Sequence, residues 1–150
     1  MSLELRRCTT AEPGFQALVR ELDLELQRRY GAVQDLYTPH NAVDAIATAV
    51  LALEGGRPVG CGCFKPFAPG AIELKRLYVA PAARGAGVGR RMVEALEAWA
   101  RELGFTRAVL ETGTSQPEAV ALYTRCGYAR IPCFGPYVDL PASVCMARTL

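Results

Sequence analysis

The sequence predicts a mixed α/β fold, built as one domain over residues 1–150. Apolar residues alternate at strand spacing in some segments and recur at helical spacing in others, and three consecutive strand patterns are joined by short turns. No linker, repeat or low-complexity segment divides the chain. A chain of 150 residues, 51% hydrophobic and 21% charged, can bury a sizeable core. The composition therefore excludes a disordered or fibrous protein.

The first half of the chain is predicted to contain a strand, a long helix and an antiparallel meander. Residues 3–9 alternate apolar and charged side chains, and residues 13–31 combine helical spacing with an initial proline and a final glycine. Residues 32–45 show no clear period and are predicted to form a loop, with a short helix as the alternative. Strand patterns follow at residues 48–54, 59–67 and 71–79.

The second half alternates between helices and strands. A helix is predicted from about Gly87 to Gly104, and a second one from Pro117 to Gly127. Strand patterns occur at residues 108–110, 129–133 and 143–146. The predicted order is therefore β-α-(α)-β-β-β-α-β-α-β-β, an α+β arrangement around a mixed sheet.

Charge and hydropathy exclude several kinds of partner. The chain has 17 Lys and Arg against 15 Asp and Glu, a net charge of +2 that is too balanced for a protein bound to nucleic acid. Its longest mostly apolar run, residues 45–53, is about half the roughly 20 residues that a membrane-spanning helix needs. The first nine residues contain no apolar signal segment, so we expect a cytoplasmic protein.

The cysteines are predicted to be reduced thiols. The six are Cys8, Cys61, Cys63, Cys126, Cys133 and Cys145. They lack paired CxxC spacing, and a cytosolic chain of this length needs no disulfides. Cys61 and Cys63 would share one face of a strand, but His40 is the single histidine, so we expect small buried side chains rather than a metal site.

A glycine-rich segment between a strand and a helix is the most informative part of the sequence. It reads Arg84-Gly85-Ala86-Gly87-Val88-Gly89-Arg90-Arg91. The glycines allow a sharp turn and a close approach of backbone N–H groups to a ligand, and the helix N-terminus attracts anions. The arginines add charge that suits a pyrophosphate. The spacing matches neither the Walker A loop nor GxGxxG, which disfavours ATP, GTP, NAD and FAD.

Two motifs resemble those of the GNAT N-acetyltransferase superfamily. Arg84-Gly-Ala-Gly-Val-Gly89, after Leu77-Tyr-Val-Ala-Pro81, is similar to the (Gln/Arg)-x-x-Gly-x-(Gly/Ala) pyrophosphate loop of that superfamily. Ala119-Val-Ala-Leu-Tyr-Thr-Arg-Cys-Gly-Tyr128 resembles its A-x-x-L-Y-x-x-x-G-(F/Y) helix and turn. The resemblance covers about residues 71–132 and implies a GNAT-like acyl-CoA N-acyltransferase fold.

The resemblance also implies acetyl-CoA as co-substrate, and the pattern of cysteines and the single histidine leads us to expect no metal. Its pantetheine arm would lie along the strand that contains Leu77 and Val79, and the backbone N–H of Leu77 would polarise the thioester carbonyl. Gln116 stands seven residues before Tyr123, where the family often has a cofactor-binding Asn. The predicted cofactor contacts are Leu77, Val79, Arg84, Gly85, Gly87, Val88, Gly89, Arg90 and Gln116.

Two side chains are candidates for acid and base catalysis. Glu73 matches a strand position from which some GNAT enzymes supply a general base, directly or through water. The alternative is a solvated strand carboxylate between apolar neighbours. Tyr123 matches the family tyrosine that protonates the departing CoA sulfur, and the alternative is an amphipathic tyrosine of the core.

The acceptor site is predicted only in outline. In the family it is walled by the first helix, the loop after it and the loop between the last two strands, which here contain Tyr30, Tyr37, Phe134 and Tyr137. His40 is interpreted as a solvated loop residue. This wall suits a small amine or amino-acid-like acceptor, and equally a peptide N-terminus. We expect acetyl transfer to a primary amine in a ternary complex, with a homodimer left open. The alternative is a non-catalytic acyl-CoA-binding module.

Overall fold

Seven strands and three helices form the fold in a computed structural model that describes residues 2–31 and 45–150. In chain order the elements are β1 (Leu3–Cys8), α1 (Pro13–Tyr30), β2 (Ala49–Glu54), β3 (Arg57–Ala68), β4 (Ala71–Val79), α2 (Val88–Glu102), β5 (Arg107–Gly113), α3 (Pro117–Arg125), β6 (Ala129–Ile131) and β7 (Ser143–Thr149). Short 3-10 turns lie at Pro81–Ala83 and Gly135–Tyr137.

The strands form one mixed sheet in the order β1-β2-β3-β4-β5-β7-β6. Strands β2 to β4 pair antiparallel, as the short turns between them predict, and β1 also pairs antiparallel with β2. Strands β4 and β5 pair parallel, and β7 pairs antiparallel with both β5 and β6. The predicted mixed fold is confirmed. The segment predicted as a loop with an optional short helix lies, except for its last residue, outside the described residues.

The helices pack on opposite faces of the sheet because strand side chains alternate in direction. The apolar stripe of α1 covers a cluster that includes Leu51, Cys61 and Cys63. Its members on α1 are Phe15, Leu18, Leu22 and Leu26. Helices α2 and α3 cover the other face, where Leu96 packs with Ile72 and Leu110. Both Cys61 and Cys63 are 0% exposed, so they act as small core residues, and all six cysteines are free thiols.

Several strand boundaries differ from the predicted ones, and those of β5, β6 and β7 have a clear physical reason or affect the site. Strand β5 extends to Gly113 because Glu111 and Thr112, although polar, continue the pairing with β7. Strand β7 likewise extends to Thr149. Strand β6 ends at Ile131, and the following Pro132 has no N–H to extend the ladder.

The feature that positions the site is the separation of β4 from β5. Their pairing ends at Leu74↔Leu110, although β4 continues to Val79. Strand β4 also contains a bulge, because Lys75 and Tyr78 pair with Cys63 and Cys61 and leave one extra residue on β4. Arg76, within this bulge, has a φ of 58°. A cleft therefore opens at the carboxyl ends of the two parallel strands.

No helix within the described ranges is long and apolar enough to cross a membrane.

Candidate active site

Two adjoining cavities occupy the cleft between β4 and β5. The larger has a volume of about 440 Å³ and lies beside the glycine-rich loop and the first turns of α2 and α3. The smaller, about 100 Å³, is lined by α1, β4, β5 and α3. Leu77 and Tyr123 line both cavities, so they mark the junction. The carboxyl ends of parallel strands are where α/β sheets commonly bind ligands.

All nine residues predicted to contact the cofactor line the larger cavity. They are Leu77, Val79, Arg84, Gly85, Gly87, Val88, Gly89, Arg90 and Gln116. Gly85 and Gly87 have φ values of 88° and 81°, and a Cβ at either position would meet nothing within 4 Å. Over the described chain, the N–H groups of residues 85–90 donate no hydrogen bond. Together with the N-terminus of α2, they form a cradle that fits a diphosphate.

Gly89 has a different steric role from that of the other two glycines. A Cβ there would lie 3.0 Å from Leu122 Cδ2 and 3.6 Å from Val79 Cγ2. The absence of a side chain at Gly89 therefore lets α2 approach α3 closely. The requirement for glycine comes from helix packing, whereas we expected it to come from the ligand.

Two of the three arginines of the loop, Arg84 and Arg90, are paired with protein groups. Arg84 donates from Nε to the Val79 carbonyl oxygen at 2.8 Å and from Nη2 to Glu25 Oε1 at 2.8 Å. Arg90 donates from Nε to Glu94 Oε1 at 3.1 Å on the exposed surface of α2. The backbone N–H groups of residues 85–90, in contrast, have no acceptor in the described part of the chain.

A chain of ion pairs connects α1 to both sides of the larger cavity. Glu25, which holds Arg84, also lies 3.9 Å from Arg29 Nε. Arg29 forms an ion pair with Glu118 at the start of α3 and donates to the Ser115 carbonyl oxygen at 2.9 Å. The hydrogen bond from Arg29 lowers the pKa of Glu118. Helix α1 is thereby anchored across the cleft.

Tyr123 lies at the junction of the cavities and is 8% exposed. Burial raises the pKa of its hydroxyl above the ordinary value near 10, so it is protonated at neutral pH. Within the described residues, no hydrogen bond involves this hydroxyl. Its ring meets that of Tyr128 edge to face, with centroids 5.9 Å apart. A protonated hydroxyl in this position can donate a proton to a group bound between the cavities.

A buried polar network lies behind Tyr123. Tyr128 donates its hydroxyl hydrogen to Glu97 Oε2 at 2.8 Å, and Arg148 Nη1 donates to Glu97 Oε1 at 2.9 Å. Glu97 is 1% exposed. The network fixes the ring against which Tyr123 packs.

Glu73, the predicted base, is buried at 5% exposure, which contradicts the alternative of a solvated carboxylate. Its Oε2 accepts from Lys75 Nζ at 3.3 Å and from the Tyr137 hydroxyl at 3.4 Å. Lys75 Nζ also donates to the Tyr137 hydroxyl at 3.2 Å. Glu73 lines neither cavity.

Glu111, on β5, is a carboxylate that the sequence did not single out. It lines the smaller cavity, and Ser143 Oγ donates to its Oε2 at 2.8 Å. Burial raises its pKa to about 7. The signal available in the sequence is a charged residue that directly follows the apolar pair Val109-Leu110 near the carboxyl end of a strand. The prediction missed it because it ended the strand at Leu110.

The predicted acceptor residues fall into three groups. Tyr30 lines the smaller cavity and donates to Gln116 Oε1 at 3.1 Å. Phe134 and Tyr137 form an aromatic group with Phe67. The ring centroid of Phe134 lies 4.8 Å from that of Phe67 and 5.7 Å from that of Tyr137, and none of the three residues lines either cavity. Tyr37 and His40 lie outside the described residues.

Comparisons with known proteins identify the family and the fold. The family model for the acetyltransferase (GNAT) family matches residues 14–128. An IAA acetyltransferase from Azospirillum brasilense is 36% identical over 148 residues, which are 93% of this chain and 95% of that protein. A Klebsiella pneumoniae subsp. pneumoniae MGH 78578 structure assigned as an acyl-CoA N-acyltransferase has 33% identity and a TM-score of 0.78, covering 99% of this chain and 97% of that one. The PaiA N-acetyltransferase from Thermoplasma acidophilum, solved with coenzyme A, has 15% identity and shares the fold, with a TM-score of 0.72 over 100% of both chains. The chain therefore belongs to the GNAT acetyltransferase family.

Proposed function

We propose that this protein transfers the acetyl group of acetyl-CoA to the primary amine of a small acceptor, by direct attack within a ternary complex. One observation carries the proposal. A cavity with a diphosphate cradle meets, at Leu77 and Tyr123, a second cavity that contains a carboxyl group with a pKa of about 7. The similarity to an IAA acetyltransferase supports a small-molecule acceptor.

The residues of the larger cavity fit acetyl-CoA. The unbonded N–H groups of residues 85–90 would hold the diphosphate, and the edge of β4 from Leu77 to Val79, which has no β5 partner, would receive the pantetheine arm. Acetyl-CoA supplies a thioester, whose carbonyl carbon forms the new C–N bond while its C–S bond breaks. The backbone N–H of Leu77 would stabilise negative charge on the carbonyl oxygen.

Proton transfer would be divided between Glu111 and Tyr123. An acceptor ammonium loses two protons when its nitrogen becomes an amide. Glu111 would take the first proton, and this deprotonation frees the lone pair of the nitrogen for attack. Glu111 would later release that proton to solvent. Tyr123 would donate its hydroxyl proton to the departing sulfur and recover the second proton from the acceptor nitrogen. The products are the acetylated amine, CoA thiol and one proton.

Glu111 is a better candidate for the base than Glu73. It lines the smaller cavity, and its pKa of about 7 lets it exchange a proton near neutral pH. The Glu73 carboxylate is occupied by Lys75 and Tyr137 and lines neither cavity. We therefore assign the base to Glu111 and give Glu73 the role of holding Lys75.

The test compares two isosteric variants, Glu111→Gln and Glu73→Gln. Free thiol release is followed between pH 5.5 and 9.5 across an amine panel. We expect the parent kcat/KM to rise with an apparent pKa near 7. Glu111→Gln should lose this rise and fall by about 10²-fold to 10⁴-fold at neutral pH, with partial recovery at high pH as the free amine becomes neutral. Glu73→Gln should keep the rise.

The reverse pattern, in which only Glu73→Gln abolishes the rise of kcat/KM near pH 7, would mean that Glu73 is the base. Acetyl-CoA binding without thiol release for any amine in the panel would instead support the non-catalytic alternative and overturn the proposed function.

A further inference from the structure

Two consecutive cations lie buried at the point where β4 leaves β5. The side chains of Lys75 and Arg76 are 8% and 6% exposed, and both residues line the smaller cavity. Lys75 is paired with Glu73 at 3.3 Å. Arg76 forms its ion pair with Asp23 of α1, whose side chain is 55% exposed. The partner of Arg76 is thus a solvated carboxylate, which a ligand can replace.

Arg76 carries two unfavourable features. Its Nε is buried and has no hydrogen-bond acceptor in the described part of the chain. A buried donor without a partner loses the hydration that it has in the unfolded chain. Its φ of 58° is also a left-handed conformation, which is unfavourable for a residue with a side chain. Residues with a strained backbone are concentrated at active sites and ligand sites, and Arg76 lines a cavity.

The charges around the smaller cavity complement a zwitterion. Lys75 and Glu73 neutralise each other, while Arg76 and Glu111 are a guanidinium and a carboxyl group on different strands. Asp23 of α1 is the ion-pair partner of Arg76, and Lys75 and Glu73 of β4 are the charged groups that act on Glu111. A ligand with an amine beside a carboxylate could therefore place its carboxylate against Arg76 and its amine against Glu111.

We propose, on the basis of the function above, that the acceptor is an amino acid or a close analogue whose carboxylate is bound by Arg76 while its amine faces Glu111. A guanidinium binds a carboxylate through two parallel N–H bonds, and Nε is one of its donors. The cavity of about 100 Å³ has room for a group the size of several water molecules, given that about 10–15 Å³ holds one. A peptide N-terminus has no carboxylate beside its amine, so a free amino acid fits this pair of groups better.

The experiment uses acceptors that share a side chain and differ at the carboxylate. L-Phenylalanine, L-phenylalaninamide and 2-phenylethylamine form one series, and L-leucine, L-leucinamide and 3-methylbutylamine form another. In at least one series we expect the acid to have the highest kcat/KM. Arg76→Met should lower kcat/KM for that acid by about 10-fold to 100-fold, mainly through KM, and change the values for its amide and amine less than about threefold.

Two further variants separate binding from folding. Asp23→Asn removes the ion pair with α1 but keeps the guanidinium, so the preference for the acid should persist or increase. Arg76→Lys keeps the charge without the planar fork and should retain part of the preference. Calorimetry with acetyl-CoA shows whether each variant keeps the cofactor site.

An equal or lower kcat/KM for the acids in both series of the parent would overturn the inference without any variant. So would an Asp23→Asn effect equal to that of Arg76→Met, because Arg76 would then serve only to hold α1. If amines are acetylated with no preference for a carboxylate, only this inference fails. If none of the six compounds is acetylated but another amine of the panel is, again only this inference fails, and if no amine of the panel releases thiol, the proposed function fails with it.

Discussion

At the scale of single residues, Tyr123 combines a protonated hydroxyl with a position between two cavities. Tyr123→Phe removes the hydroxyl and keeps the ring contact with Tyr128. If the hydroxyl protonates the departing sulfur, kcat should fall by about 10²-fold to 10⁴-fold, while the acetyl-CoA Kd stays within a few fold. Steady-state kinetics and calorimetry measure the two quantities.

Tyr128→Phe is the matched control for this variant. It removes a hydroxyl that donates to Glu97 and lines neither cavity. The variant should therefore lower the unfolding free energy by about 1–3 kcal/mol and leave kcat nearly unchanged. An unchanged kcat in Tyr123→Phe, under conditions where chemistry limits the rate, would mean that Tyr123 serves only in packing. The proton would then come from water.

The raised pKa of Glu111 should also make the unfolding free energy depend on pH. Its pKa is about 7 in the folded protein against an ordinary value of 4.5, so the folded state binds a proton that the unfolded state releases. Stability from this group is therefore present below about pH 4.5 and is lost as the pH rises through 7. Glu111→Gln should match the parent at pH 4 and exceed its unfolding free energy by about 3 kcal/mol at pH 8. Urea unfolding at both pH values measures this, and a constant difference between the two proteins would contradict the burial of a protonated carboxyl.

At the scale of elements, the contact between α2 and α3 depends on Gly89. A valine there would press on Leu122, so Gly89→Val should cost about 1–3 kcal/mol of stability, and Leu122→Ala should recover part of that loss in the double variant. Gly87→Val is the control, because its cost comes from a φ of 81° with no neighbour. Leu122→Ala should not relieve it. Additive free energies in the Gly89 and Leu122 pair would contradict the packing role.

The glycine-rich loop could be predicted from sequence because all its donors lie within residues 84–90. The acceptor side could not be predicted in the same way, because it is formed by α1, β4, β5 and the residues before β7. These segments are far apart in the sequence, and no local pattern shows that they are in contact. The apolar residues Leu77 and Val79 continue the strand pattern and give no sign that β4 has already left β5. The bulge at Arg76 depends on the register with β3, which an alternating pattern on one strand leaves open.

At the scale of the whole molecule, Glu97 on α2 connects β7 and the residue that leads into β6. Its carboxylate is 1% exposed and bound by Arg148 and Tyr128. Arg148→Met would leave a buried charge without its cation, so we expect a loss of about 3 kcal/mol in unfolding free energy. Arg6→Met, which breaks an ion pair of two exposed side chains with Glu4, should change it by less than about 0.5 kcal/mol. Similar values for the two variants would show that the ion pair of Glu97 and Arg148 contributes no more to stability than an exposed one.

Ligand binding should stabilise the whole fold, because the proposed acetyl-CoA site draws on β4, α2 and α3 and is bridged to α1 by the ion pairs of Glu25 and Arg29. Acetyl-CoA at 100 times its Kd should add about 2.7 kcal/mol, which for a chain of this length raises Tm by roughly 5–10 °C. NAD and ATP at the same concentration should shift Tm much less, since the loop lacks the spacing of their binding motifs. Tyr123→Phe should keep the acetyl-CoA shift and Gly87→Val should lose it, because only the second fills the space beside the unbonded N–H groups. Equal shifts with all three ligands would mean that the loop recognises any diphosphate, and the assignment of acetyl-CoA would then rest on the thiol-release assay alone.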